Sequence, residues 1–89
     1  MNHRTTPKFW KCYYNLSEVV QELADKNFEL LKADQAHPSL HFKEISGKHN
    51  LWSARVGDHF RALALREDDE LYWFWIGTHE EYNKLIKRL

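Results

Sequence analysis

The sequence predicts an α+β domain, with an N-terminal helical pair packed on an antiparallel sheet of about four strands and closed by a C-terminal helix. Three observations predict it. Apolar residues recur at helical spacing as far as about residue 34. From about residue 40 the apolar period changes to two, with turn residues between the runs. The last residues return to helical spacing behind a capping pattern. With 89 residues, one domain spanning 1–89 is the expectation.

The elements follow in order. In "TTPKFWKCYYNL", Thr6 is a candidate N-cap and Pro7 occupies the first helical position. This predicts a short helix from about Pro7 to Asn15; a strand is the alternative, because Phe, Trp and Tyr favour strands. Ser17 opens a longer helix that runs to about Lys32 or Asp34. Val20, Leu23, Ala24, Phe28 and Leu31 form its inward stripe. Pro38 in "DQAHPS" prevents its continuation. "LHFKEI", "LWSARV" and "FRALAL" alternate as strands, separated by "SGKHN" and "GDH". "LYWFWI" lacks a polar face and reads as a central strand covered on both sides. In the closing "THEEYNKLIKRL", Thr78 and Glu81 form a Thr-x-x-Glu capping box. Tyr82, Leu85, Ile86 and Leu89 then lie on one stripe.

Composition narrows the function classes. Thirteen basic and thirteen acidic side chains give a formal net charge of +0. Bulk positive charge therefore does not hold nucleic acid here, and any anion site is local. Cys12 is the one cysteine, so the chain has neither an internal disulfide nor a thiolate zinc cluster. The expectation is a cytoplasmic domain with no cofactor, no metal and no membrane partner. His37 and His41 are four apart, but Pro38 between them breaks the helix face that a metal pair would need.

The hairpin around Gly57 carries the functional reading. A two-residue turn would leave both faces mixed. A three-residue loop, Gly57-Asp58-His59, pairs Val56 with Phe60, Ala54 with Ala62 and Trp52 with Ala64, making one face wholly apolar. Burial selects that register. Arg55 then falls directly opposite Arg61 on the other face. Like charges across a strand pair are destabilising by up to ~1 kcal/mol, whereas two adjacent guanidiniums suit a phosphate or carboxylate. Acidic neighbours such as Glu44 or Asp58 are the structural alternative. His41, Lys43 and His59 are positioned to join this face, and Thr78 and His79 to reach its rim.

"HPSLHFKEISG", "WSARVGDHFRAL" and "WFWIGTHEEYNKLI" together resemble the RelE/ParE superfamily of bacterial toxins, particularly its small HigB/RelE-like members. The resemblance covers most of the chain. It implies the toxin of a type II toxin–antitoxin pair, with a cognate antitoxin as partner. It also implies an endoribonuclease that cleaves mRNA, often in the ribosomal A site, by attack of a 2′-hydroxyl on the adjacent phosphate. By position in the family pattern, Arg61 matches the phosphate-stabilising arginine and Arg55 the basic residue that opens the hairpin. His79 stands where the family has a late His or Arg, and Tyr82 matches a late tyrosine that stacks on a base or donates a proton. Lys43, Lys48, His49 and His59 are the remaining candidates for RNA contact. Ribosome-dependent members carry lysines on the strand before the hairpin, where this chain has Leu51 and Ser53. That departure leaves two alternatives: a non-enzymatic ParE-like toxin acting on a protein such as DNA gyrase, or an inactive member.

Overall fold

The computed structural model describes all 89 residues. The elements in order are β1 (Asn2–Thr5), α1 (Pro7–Tyr14), α2 (Glu18–Ala33), one turn of 3-10 helix (Pro38–Leu40), β2 (Lys43–Ser46), β3 (Leu51–Val56), β4 (Phe60–Glu67), β5 (Glu70–Thr78) and α3 (His79–Ile86). The five strands form one sheet in the order β1-β5-β4-β3-β2. The α+β arrangement is the expected one: two N-terminal helices, four antiparallel strands in a meander, and a closing helix. The expected helix over "PKFWKCYY" forms, with the Thr6 hydroxyl accepting the Phe9 N–H at 3.2 Å. Ser17 caps α2 in the same way through Val20 N–H. No helix is long and apolar enough to cross a membrane.

The N-terminal strand is a finding beyond the sequence reading. β1 lies parallel to β5, from Asn2 opposite Glu70 to Thr5 opposite Trp73. At that point the Thr6 N–H and hydroxyl both donate to the Trp73 carbonyl, at 3.1 and 3.2 Å. The chain turns there into α1, which packs against β5. A strand edge that would otherwise present unpaired backbone is thus closed by β1. "LHFKEI" also differs from expectation. Leu40 sits in the 3-10 turn, His41 is left-handed at φ 42°, and the strand begins only at Lys43. The cause is local: His37 Nδ1 accepts the Ser39 N–H at 3.2 Å and caps a turn that starts on Pro38.

The two sheet faces are covered by different elements. One carries Ala54, Val56, Ala62, Ala64, Leu71, Trp73 and Ile76 under α2 Leu31, with Phe28 and Leu23 packed against them. The other carries Leu51, Leu63 and Trp75, covered by Tyr82 and Ile86 of α3. Trp73 and Trp75 are two residues apart, yet they enter opposite cores. The register explains this. Leu63 opposes Trp75 and Ala64 opposes Trp73, so Phe74 is an inserted bulge residue. Without that bulge, simple alternation would put both indoles on one face.

Candidate functional site

The hairpin register is the one that burial requires: Val56 opposes Phe60, Ala54 opposes Ala62 and Arg55 opposes Arg61. Gly57 makes the turn possible. Its φ is +64°, and a Cβ there would come within 2.6 Å of Leu23 Cδ2. β5 completes the row, because Arg61 also opposes Gly77. Arg55, Arg61 and Gly77 therefore run across three adjacent strands on the face that α3 covers.

The two arginines have different surroundings. Arg55 donates to the Gly57 carbonyl through Nε at 3.1 Å and to the Asp58 carboxylate through Nη2 at 2.5 Å. Its Nη1 approaches His41 Nε2 at 3.5 Å. Asp58 is thus the acidic neighbour that holds it; Glu44 takes no part in an ion pair. Arg61 meets no carboxylate within salt-bridge distance and spends one N–H on the Phe60 carbonyl at 2.8 Å. Burial and the adjacent Arg55 charge pull its pKa below the ordinary arginine value, with Tyr82 and Asp58 opposing that shift. The guanidinium remains charged at any physiological pH. Arg61 is therefore a half-buried cation with no carboxylate within salt-bridge distance.

The start of α3 borders this row. The predicted capping box is present: Glu81 N–H donates to the Thr78 hydroxyl at 3.2 Å, and Thr78 N–H donates to the Glu81 carboxylate at 3.0 Å. His79 N–H donates to the His59 carbonyl at 2.8 Å, tying the helix start to the β3–β4 turn. The half-buried His79 ring meets the Tyr82 ring edge-on, with centroids 6.0 Å apart. Tyr82 is 7% exposed and points its hydroxyl at Ser53 Oγ, 3.5 Å away. It is part of the second core, which places its hydroxyl away from solvent.

The structure thus brings together Arg55, Arg61, His79 and Tyr82, with His41, His59 and Asp58 at the margin. Lys43 lies one position further along the sheet, opposite Ser53. Lys48 and His49 do not join the group. They occupy the turn before Leu51, at the far end of β3, where Leu51 itself is roughly 13 Å from Arg55 at ordinary strand rise. Ser53 was not singled out from sequence as a partner of Tyr82, and only the β3 register combined with the α3 stripe could have paired them. No group of three or more His, Cys, Asp or Glu side chains is disposed to hold a metal. A mainly apolar cavity of about 130 Å³ lies between the helical pair and the other sheet face, lined by Phe9, Tyr13, Phe28, Trp73 and Ile76, with Arg55 also in its wall. It contains no convergent set of catalytic groups.

Comparison with known proteins agrees with this fold. No curated protein matches the chain in sequence. Solved structures match in shape. A chain of the RelB–RelE antitoxin–toxin complex from Methanococcus jannaschii superposes with a TM-score of 0.71 at 16% identity, covering 92% of this chain and 96% of that one. A chain of the RelBE2 toxin–antitoxin complex from Mycobacterium tuberculosis gives 0.69 at 15% identity, over 88% and 96% of the two chains. The isolated RelE toxin of E. coli gives 0.64 at 14% identity, over 98% and 96%. At these identities the likeness is one of fold. The family model for the ParE-like toxin domain matches residues 18–84, which span α2, four of the five strands and most of α3. The chain belongs to the ParE-like toxin domain family, within the RelE/ParE superfamily of toxins.

Proposed function

We propose that this chain is the toxin of a toxin–antitoxin pair, that its partner is a cognate antitoxin, and that it cleaves mRNA as an endoribonuclease. The observation that carries the reading is Arg61, a half-buried guanidinium with no carboxylate partner, set against Arg55 and bordered by His79 and Tyr82. Holding two like charges together costs stability. A phosphate that gains charge during reaction compensates for it.

In the proposed reaction the ribose 2′-oxygen bonds to the adjacent phosphorus and the bond to the 5′-oxygen breaks. The products are a 2′,3′-cyclic phosphate and a 5′-hydroxyl. Arg61 and Arg55 neutralise the pentavalent phosphate. His79 accepts the 2′-hydroxyl proton, and a solvent proton reaches the leaving 5′-oxygen. Tyr82 holds the His79 ring edge and α3 in place. Lys43 and His59, exposed at the margin, serve as contacts to flanking phosphates. Lys48 and His49 contact only RNA that runs the length of the hairpin.

A second reading has a specific observation behind it. Leu51 and Ser53 are uncharged and only 5% and 3% exposed, so β3 offers RNA no cation besides Arg55. With the ParE-like family match, this supports a toxin that acts on a protein target. Expression in cells without antitoxin, with mapping of mRNA 5′ ends, separates the two. The nuclease reading expects new 5′-hydroxyl ends with the wild type. It expects cleavage to fall about 10²–10³-fold with Arg61→Ala and at least ~10²-fold with His79→Ala. Growth arrest with an unchanged 5′-end map would favour the protein-target reading.

A further inference from the structure

We propose that Asp58 determines which phosphates the arginine pair accepts, by matching the site to the single charge of an internal phosphodiester and disfavouring doubly charged terminal phosphates. This rests on the anion-binding role proposed above for Arg55 and Arg61.

The argument begins with charge. Arg55 and Arg61 face one another across β3 and β4, and Asp58 in the connecting turn holds Arg55 at Nη2. Of the two acidic groups in the first turn of α3, Glu80 is exposed to solvent and Glu81 is committed to the helix cap. Glu81 accepts from both the Thr78 N–H and the Thr78 hydroxyl, at 3.0 and 2.9 Å. Two guanidiniums and one carboxylate leave one net positive charge, which one phosphodiester neutralises. A terminal phosphate carries close to two negative charges above its second pKa of about 6. Bound at the same place, its second charge would lie unneutralised beside the Asp58 carboxylate.

Geometry supports the assignment. Asp58 reaches Arg55 from the side of the turn, while the Arg55 Nε is already fixed on the Gly57 carbonyl. The Asp58 side chain is 79% exposed, so it can turn to solvent when a phosphate approaches, yet it stays next to the site because its backbone belongs to the three-residue turn. Selectivity of this kind is achieved by repulsion of the wrong ligand as much as by attraction of the right one. It fits an enzyme that must act within a chain and ignore mononucleotides and chain ends.

The test compares two probes at pH 8 by calorimetry or NMR titration: a 2′-deoxy dinucleotide, with one internal phosphodiester and no 2′-hydroxyl to react, and the matching 5′-mononucleotide. Wild-type protein is expected to bind the dinucleotide at least as tightly as the mononucleotide. Asp58→Asn, which is isosteric and lies in an exposed turn, is expected to shift the ratio of affinities toward the mononucleotide by roughly ten-fold, the effect of one unit charge near the site. In an Arg55→Ala background the same substitution should shift the ratio much less. A dinucleotide that binds while Asp58→Asn leaves the ratio unchanged overturns the proposal and spares the anion site. An equal shift with and without Arg55 also overturns it, since the effect would then be a diffuse charge effect. Failure of both probes to bind wild type and variant alike removes the anion site itself, and the proposal with it.

Discussion

Tyr82 illustrates how a residue that family likeness marks as chemical is also marked by packing as structural. Its ring fills the second core with Leu51, Leu63 and Trp75, and its hydroxyl has only the long contact to Ser53. Tyr82→Phe is therefore expected to alter stability by no more than about 1 kcal/mol, and to leave RNA cleavage within a few-fold of wild type. Urea denaturation and a cleavage assay on the same preparation check both. A cleavage loss as large as that of His79→Ala would instead give the hydroxyl a proton-transfer role. At this scale the sequence was informative where burial constrained it. The opposition of Arg55 and Arg61 followed from the need to make one hairpin face apolar, and Asp58 was among the acidic neighbours that the turn allowed. The asymmetry between the arginines was not legible, because it depends on the reach of one exposed side chain. Lys48 and His49 were grouped with the site by charge alone, and their position at the opposite end of β3 separates them from it.

Among the elements, α3 depends on the residues just before it. Gly77 has no side chain, and a Cβ there would fall 2.4 Å from Trp75 Cζ2. The Trp75 indole thus lies across Gly77, beneath the first turn of the helix. Gly77→Ala is expected to cost about 1–3 kcal/mol through overpacking, measurable as a lower urea midpoint. The same change would displace the start of α3 relative to Arg61 and so reduce any activity that needs His79. Sequence showed α3 clearly because its cap, dipole charges and apolar stripe agree within twelve residues. β1 was not legible for the opposite reason. "NHRT" is short, polar and mostly exposed, and its partner is 68 positions away at Glu70. The bulge at Phe74 was equally hidden, since an aromatic residue in a strand carries no mark of being the inserted one.

On the scale of the whole molecule, the N-terminal strand is tied to β5 and α2 through His3. Its Nδ1 accepts the Trp73 Nε1–H at 3.0 Å, and its ring is stacked on Trp73 and edge-on to Phe28. Burial, then the N-terminal charge and Lys32, lower its pKa below 6.5. A lowered folded-state pKa means the stabilisation is complete above the unfolded value of 6.5 and is lost as pH falls through the folded value. The urea midpoint of the wild type is expected to drop between pH 7.5 and pH 5. His3→Gln, which can accept the same indole N–H without titrating, is expected to drop less. An identical drop in both proteins would place the sensitivity elsewhere.

The parallel pairing of β1 with β5 also has a consequence for biosynthesis. β1 is translated well before the strand it pairs with, so it has no partner until Glu70–Trp73 have been made. Closing so long a loop is slow compared with forming the local hairpins. At about 5–20 residues per second, the N-terminal strand waits several seconds for it. His79 and Tyr82 are translated later still. A nascent chain that stops before Glu70 has no partner for β1, and one that stops before His79 still lacks part of the group around Arg61.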